Sequence, residues 1–338
     1  MADRPWNGDG SMERTFDRNT DTAVPAPAHP KERREPLPWH RPKPGSEDPD
    51  APARIKAILD SPGYRQADQD VAFLGLDETR GVRLQLDYQK AELALEKQGV
   101  QHTIVVFGST RICEPQVARS RVESLRGQIE QRPDDEDLRR RLATALRIMA
   151  KSRYYDVARE FGQLVGRAGS GPSDGRLLLM TGGGPGVMEA ANRGAYDVGG
   201  RSIGLNISLP HEQYPNPYVT PDLCFRFRYF ALRKLHFLLR TKALVAFPGG
   251  YGTLDELFET LTLIQTRKIR PVPVVLVGEH YWRRVIDMDF LVEEGVIDEE
   301  DRDLFWYAES AGQIWDGILR WHSRNGTPLF PGPVRHDD

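Results

Sequence analysis

The sequence predicts an α/β protein built on an open, mostly parallel sheet with helices on both faces. Three observations predict it. Strands are expected at 103–107, 176–181, 202–207, 243–247 and 273–278, of which 103–107 and 243–247 are unbroken apolar runs of the length of buried parallel strands. Helical patterns alternate with them, as a doubly wound sheet requires. Two of these strands end in glycine-rich turns that open into helices, Gly182-Gly183-Gly184-Pro185-Gly186 and Pro248-Gly249-Gly250-Tyr251-Gly252. In such sheets ligands bind outside the carboxyl ends of the strands, where both turns would lie.

In chain order, residues 1–52 are rich in proline, charge and small polar side chains. They carry too little apolar surface to offset the entropy of ordering, so a disordered tail is expected. Residues 36–44, PLPWHRPKP, read as linker or as a proline-rich docking segment. Residues 53–99 read as a helical extension that packs peripherally and carries no chemistry. Ile55, Ile58 and Leu59 form a short stripe there, and Leu84, Leu86, Tyr88, Leu93 and Leu95 lead into Gly99, a helix stop.

Residues 100–325 carry the alternating pattern and make one Rossmann-like domain. Residues 114–150 read as a charged helical hairpin inserted after its first strand, turning at Pro133-Asp134-Asp135. Arg139, Arg140, Arg141 and Arg147 could make a basic patch for nucleic acid, but interspersed acids favour a solvated face. Residues 224–228 alternate aromatic and cationic side chains like a half-buried strand. Residues 229–241 read as a helix with Arg233, Phe237 and Arg240 on one face, opposite Leu232, Leu235 and Leu239. One helix is expected at 281–294, a shorter one from 298, a last strand at 304–308, and a closing helix at 314–321 before a tail at 326–338.

Composition narrows the function. Lys plus Arg number 46 against 49 Asp plus Glu, a formal charge of −3, so no global basic field favours nucleic acid. The two cysteines, Cys113 and Cys224, make neither a metal-ligand pattern nor a disulfide framework and suggest a reducing compartment. The N-terminus lacks an apolar signal core, and no apolar run reaches membrane-spanning length, so a cytoplasmic, soluble protein is expected.

The chemistry concentrates at the glycine turns. Gly249, Gly250 and Gly252 remove side chains that would block a ligand, and the free N–H groups of the next helix, opening at Thr253, suit one phosphate. Glu256, three residues after Thr253, is either the second half of a capping box or a carboxylate beside a nucleotide sugar. The turn at 182–186 has the same strand–glycine–helix form. It is not a Walker A loop, lacking Gly-Lys-Ser/Thr, nor G-x-G-x-x-G, because Val187 takes the last glycine position. Glu189 in the following turn is a candidate ligand contact or a complement to the helix dipole. Gly108-Ser109, after the first strand, is a plain turn or a ligand contact.

PGGYGTLDE, Pro248 to Glu256, resembles the PGGxGTxxE signature of the LOG family, the cytokinin riboside 5′-monophosphate phosphoribohydrolases often labelled lysine decarboxylase-like. GGGPGVMEAANRGA, Gly182 to Ala195, and the pair Arg233-Lys234 also match, in the family's order. The resemblance covers about 103–278. It implies hydrolysis of the N-glycosidic bond of a purine nucleoside 5′-monophosphate, a cytokinin riboside or adenosine monophosphate, to free base and ribose 5-phosphate. It makes Glu256 and Arg233 catalytic. It makes Gly108, Ser109, Gly182, Gly183, Gly184, Glu189, Glu212, Lys234, Gly249, Gly250, Tyr251, Gly252, Thr253 and Thr262 substrate contacts. It implies a homodimer or higher homo-oligomer that needs no metal and no cofactor. Short members of the family lack the hairpin at 114–150, whose role is open.

A rival reading keeps the fold and removes the chemistry: a nucleotide sensor that binds AMP-like ligands without cleaving them. A dehydrogenase lacks its dinucleotide fingerprint here. Lysine decarboxylation leans on a pyridoxal Schiff-base lysine, which no stretch marks.

Overall fold

The structure, a computed structural model, describes residues 27–33, 35–37, 40–168, 176–210, 214–327 and 329. Most of the expected N-terminal tail (1–26, 34, 38 and 39), and 328 and 330–338 of the C-terminal one, lie outside the described residues. The chain divides into two compact units, residues up to Phe73 and residues from Leu74 onward. In the first, the Glu47 and Asp48 amides donate to the Pro44 carbonyl, a turn that leads into α1 (Ala51–Leu59). Ile58 and Leu59 of the expected apolar stripe are more than half exposed. A short α2 (Val71–Gly75) follows.

The second unit holds a seven-stranded sheet in which every neighbouring pair is parallel. Its strands are β1 (His102–Phe107), β2 (Leu177–Thr181), β3 (Ser202–Ile207), β4 (Cys224–Phe227), β5 (Thr241–Ala246), β6 (Val274–Val277) and β7 (Phe305–Ala308). The order β4-β3-β2-β1-β5-β6-β7 means that the chain winds outward from β1, then returns to β5 and winds the other way. The crevice of such a fold opens where winding reverses, at the carboxyl ends of β1 and β5.

Alternation along the central strands buries both faces of the sheet. Ile104 and Val106 of β1 and Ala243 and Val245 of β5 enter one core, with α6 (Arg153–Ala168), α7 (Val187–Asp197) and α12 (Ala311–Arg324). Val105, Phe107, Leu244 and Ala246 enter the other, with α3 (Arg80–Lys97), α8 (Phe230–Leu239) and α9 (Tyr251–Gln265). Ala91 and Leu95 of α3 are fully part of this second core, so the last helix of the expected peripheral extension is a layer of the main fold. The inserted hairpin is α4 (Pro115–Gln131) and α5 (Glu136–Lys151), held by a small core of Val122, Leu125, Leu138 and Ala145.

Two expectations change. The helix expected at 281–294 is two, α10 (Glu279–Val285) and α11 (Met288–Glu293), because the Asp287 side chain accepts from the Phe290 amide and starts a new helix. On α8 the leucine side is split, with Leu232 packed against the second core while Leu235 and Leu239 turn outward. Leu235 and Leu239 are over 40% exposed, whereas Phe237 and His236 are buried and Arg233 points inward with them.

Candidate functional site

The loops after β1 and β5 meet as the winding order requires. The Ser109 amide donates to the Pro248 carbonyl at 3.0 Å, and the Ser109 carbonyl accepts from the Val187 amide at 3.1 Å. The backbone of Ser109 thus ties the two glycine turns into one floor. Gly186, at φ +77°, packs against the backbone of Ser109 and Thr110, where a side chain would collide.

Above this floor opens a cleft of about 550 Å³. Gly108, Ser109, Arg233, Gly249, Gly250, Gly252, Thr253 and Glu256 all line it. α9 begins two residues earlier than the sequence suggests, at Tyr251, with Gly250 as its N-cap and no side-chain cap. Thr253 and Glu256 therefore make no capping box. The Glu256 carboxylate lies one turn inside the helix, buried, and accepts no hydrogen bond among the described residues. Nothing stands within 4 Å of where Cβ atoms at Gly250 and Gly252 would be, so these two glycines border open space. The first-turn amides of α9 and its dipole favour an anion there.

Arg233 reaches the cleft from α8. Its Nε donates to the Leu205 carbonyl at 2.7 Å, and its guanidinium stacks 5.1 Å from the centre of the Phe237 ring. A Cβ at Gly182 would lie 2.6 Å from Arg233 Nη2 and 2.9 Å from the Met188 sulfur. Gly182 is the bed on which the guanidinium rests. Burial pulls the pKa of Arg233 down, and the charge of Glu256 pushes it back up. An arginine stays charged under such a shift. Burial raises Glu256 to about 7; Arg233 and then Lys234 oppose the rise without cancelling it. A carboxyl so placed carries both protonation states at neutral pH, as a proton-transfer group needs.

Other candidates stand apart from this cleft. Lys234 makes ion pairs with Asp255 at 2.8 Å and Glu259 at 3.1 Å, which outweigh its burial and hold its pKa high. With Tyr251, 92% exposed, and Thr262, it borders a shallow depression on the outer side of α9. Glu189 accepts from the Tyr155 hydroxyl at 3.0 Å and does not line the cleft. Gly183 and Gly184 are buried and do not line it. Glu212 lies outside the described residues. The sequence reading missed Met188, Tyr281 of α10, whose hydroxyl donates to the Gly249 carbonyl, and Arg147 and Lys151 of α5, all of which line the cleft. Only tertiary placement brings them there.

Among the described residues no group of three or more His, Cys, Asp or Glu is arranged to hold a metal ion. No helix among them is long and apolar enough to cross a membrane. Both cysteines are free and half-buried.

Comparison with known proteins agrees with the motifs. The family described as "Possible lysine decarboxylase" matches residues 188–318. Cytokinin riboside 5′-monophosphate phosphoribohydrolase LOG3 of Arabidopsis thaliana is 31% identical over 188 residues, which cover 53% of this chain and 82% of that protein. The probable phosphoribohydrolase LOGL3 of Oryza sativa subsp. japonica is 29% identical, over 53% of this chain and 83% of its own. LOG1 of Arabidopsis thaliana is 32% identical, over 48% and 74%. A solved structure, the X-ray structure of TM1055, aligns to 65% of this chain and 99% of its own at 20% identity, with a TM-score of 0.38. With a relative above 30% identity matched over most of its length, and the glycine turns, Arg233 and Glu256 meeting at one floor, the chain belongs to the LOG family.

Proposed function

We propose that the chain hydrolyses the N-glycosidic bond of a purine nucleoside 5′-monophosphate, releasing free base and ribose 5-phosphate. The observation that carries this reading is the buried Glu256, with a pKa of about 7, lining one cleft with Arg233 and the glycine-lined start of α9. The names of the relatives support the same reaction class. A cytokinin riboside monophosphate and AMP are both candidate substrates.

In this reaction the 5′-phosphate sits on the amides of Gly250 to Gly252, the Thr253 amide already donating to the Gly250 carbonyl at 3.0 Å. The bond between C1′ and the purine nitrogen breaks, and its electron pair leaves with the base. Arg233 donates hydrogen bonds to the base as negative charge grows on it. The sugar develops oxocarbenium character, which the Glu256 carboxylate stabilises. Water attacks C1′ and gives its proton to Glu256, which returns it to the departed base. Atoms and charge balance without a cofactor. The same reading has the enzyme working in a cytoplasmic, reducing compartment as a homodimer or higher homo-oligomer. The free cysteines support the first, and the exposed Phe230, Leu235 and Leu239 on α8 support the second.

The test is chromatographic detection of base released from AMP and from a cytokinin riboside 5′-monophosphate. Wild type releases base, and Glu256→Ala and Arg233→Ala each fall by about 100-fold or more. Tight AMP binding with no released base in the wild type would leave the chain a nucleotide sensor.

A further inference from the structure

The inserted hairpin gives the cleft a wall that the mechanism above does not use. α5 presents Thr144, Arg147, Ile148 and Lys151 to the cleft, positions i, i+3, i+4 and i+7 of one helical face. Arg111, just past Gly108-Ser109, lines it as well, and its amide donates to the Ser109 hydroxyl at 3.1 Å. The hairpin is rich in arginine, and place is what singles out Arg147 and Lys151: Arg119, Arg121, Arg126 and Arg139 do not line the cleft. The charge of the lining is uneven. Its acids are Glu256, which shares the field of Arg233, and Asp255, which pairs with Lys234. Arg111, Arg147 and Lys151 have no carboxylate within 4.0 Å among the described residues. They leave the cleft with a surplus of positive charge.

Both ends of the hairpin are tied to helices of the main fold. At its start Glu114 pairs with Arg193 of α7, the helix whose Val187 amide donates to the Ser109 carbonyl. At its end α5 runs into α6, where Arg153 pairs with Glu309 after β7 at 2.7 Å. The Tyr154 hydroxyl of α6 fills the space a Cβ at Gly278, after β6, would take. Lys151 therefore stands on the β6 side of the strand ends. Tyr281 of α10 is on that side too, and its hydroxyl donates to the Gly249 carbonyl. Arg233 lies on the β2–β3 side, against Gly182 and the Leu205 carbonyl. The start of α9, after β5, falls between them. A nucleotide with its base on Arg233 and its phosphate on α9 turns the outer oxygens of that phosphate towards α5.

The amides of Gly250, Tyr251 and Gly252 reach a phosphate from one side only, since the Thr253 amide is occupied by the Gly250 carbonyl. A phosphate monoester near neutral pH carries about two negative charges on three free oxygens. We propose that Arg147 and Lys151 of the hairpin, with Arg111, grip the 5′-phosphate from the side away from α9 and set the cleft's preference for a phosphorylated nucleoside over an unphosphorylated one. This rests on the reading above for the seat of the phosphate on α9. An arginine fork takes two of the oxygens, and a lysine ammonium adds a point charge. The phosphate does not react, so the grip is equal in ground and transition states. Its loss raises KM and leaves kcat in place.

The experiment is calorimetric binding of AMP and of adenosine to the full chain carrying Glu256→Gln, which keeps AMP intact during the titration. On that background the hairpin is left unchanged or carries Arg147→Ala/Lys151→Ala, Arg147→Ala alone, or Arg126→Ala/Arg139→Ala, which removes the same charge away from the cleft. With the unchanged hairpin AMP binds tighter than adenosine. Arg147→Ala/Lys151→Ala cuts that ratio by about tenfold or more, weakening AMP and sparing adenosine, and Arg126→Ala/Arg139→Ala keeps it. Arg147 is exposed and Lys151 half-buried, and circular dichroism checks that each variant folds. Arg147→Ala alone cuts the ratio by about threefold or more and carries the test should the pair misfold. A ratio unmoved by the cleft-facing substitutions, an equal fall in Arg126→Ala/Arg139→Ala, or equal affinity for AMP and adenosine with the unchanged hairpin overturns the proposal. Base release from AMP, assayed with Glu256 restored, separates the two readings. A ratio that falls as expected in a chain that releases no base sinks only the hydrolase, and base release with an unmoved ratio sinks only the grip.

Discussion

Arg233 and Glu256 line the same cleft and feel each other's charge, yet their charged groups do not close to 4.0 Å. A closed ion pair would satisfy both and pin the carboxyl in its ionised form. The open arrangement leaves room for a substrate between them and lets burial dominate at Glu256. Its proton is therefore held to about 7. This relationship has consequences for stability as well as for turnover.

Glu256→Gln should remove activity and stabilise the fold. A carboxyl raised from 4.5 to about 7 binds its proton more tightly in the folded state. Folded stability therefore falls as pH rises from about 4.5 to about 7, and the whole penalty, at most about 3 kcal/mol, is present above pH 7. The neutral amide escapes it. Denaturant titration should show the variant gaining stability over wild type at pH 8 and nothing comparable at pH 4. An equal gain at both pH values would mean that the burial of Glu256 carries no such cost.

Removing Arg233 should move the pH dependence of the reaction. Arg233 is the largest influence holding the Glu256 pKa down against burial. In Arg233→Met the carboxyl titrates higher, so the acid limb of the kcat/KM profile shifts towards alkaline pH while the maximum falls by about 100-fold. A lower maximum with an unmoved limb would place the titrating group elsewhere.

Gly182→Ala tests the bed under the guanidinium. The new methyl would press on Arg233 Nη2 and the Met188 sulfur, both ends of flexible side chains rather than backbone. They can yield, so the thermal midpoint should drop little. Arg233 cannot yield and keep its place, so base release should fall by about tenfold or more, since misplacing a catalytic group by an ångström is costly. Unchanged turnover would separate the glycine from the chemistry.

The sheet was legible because β1, β5 and β6 are buried on both faces and read as unbroken apolar runs. The glycine turns were legible because Gly182, Gly183, Gly186 and Gly249 have no room for a side chain, while Gly250 and Gly252 leave open space for a ligand. The face of α8 was not. Spacing sets Arg233, Phe237 and Arg240 opposite three leucines without deciding which side turns inward; Arg233 finds the Leu205 carbonyl and the Phe237 ring within, Leu232 packs on the core, and Leu235 and Leu239 stay outside. The Thr253–Glu256 spacing fitted a capping box, yet the helix starts at Tyr251 and carries both residues inside it. Arg147 and Lys151 looked like ordinary surface charge, since only the packing of the hairpin decides which of its faces meets the cleft.

The last expectation concerns α3, whose acids bracket the helix that carries Arg233. Asp87 accepts from the Arg228 amide at 3.0 Å and from the Tyr229 amide at 3.0 Å, just where α8 begins. At the far end Glu92 takes both guanidinium nitrogens of Arg240, at 2.7 and 2.5 Å. Arg83 adds a bond of 3.0 Å to the Tyr229 hydroxyl. Free amides at a helix start otherwise need water or a side-chain cap, and Tyr229 offers none. Asp87→Ala should cost about 1–3 kcal/mol of stability for the lost charged acceptor. It should also lower kcat for base release by about tenfold, with KM less affected, because the α8 start is freed two turns or less from Arg233. Asp87→Asn, which keeps one acceptor oxygen but no charge, should fall between the two. A destabilised Asp87→Ala with wild-type kcat would mean that α3 serves the fold alone and leaves the placement of Arg233 to Leu205 and Gly182.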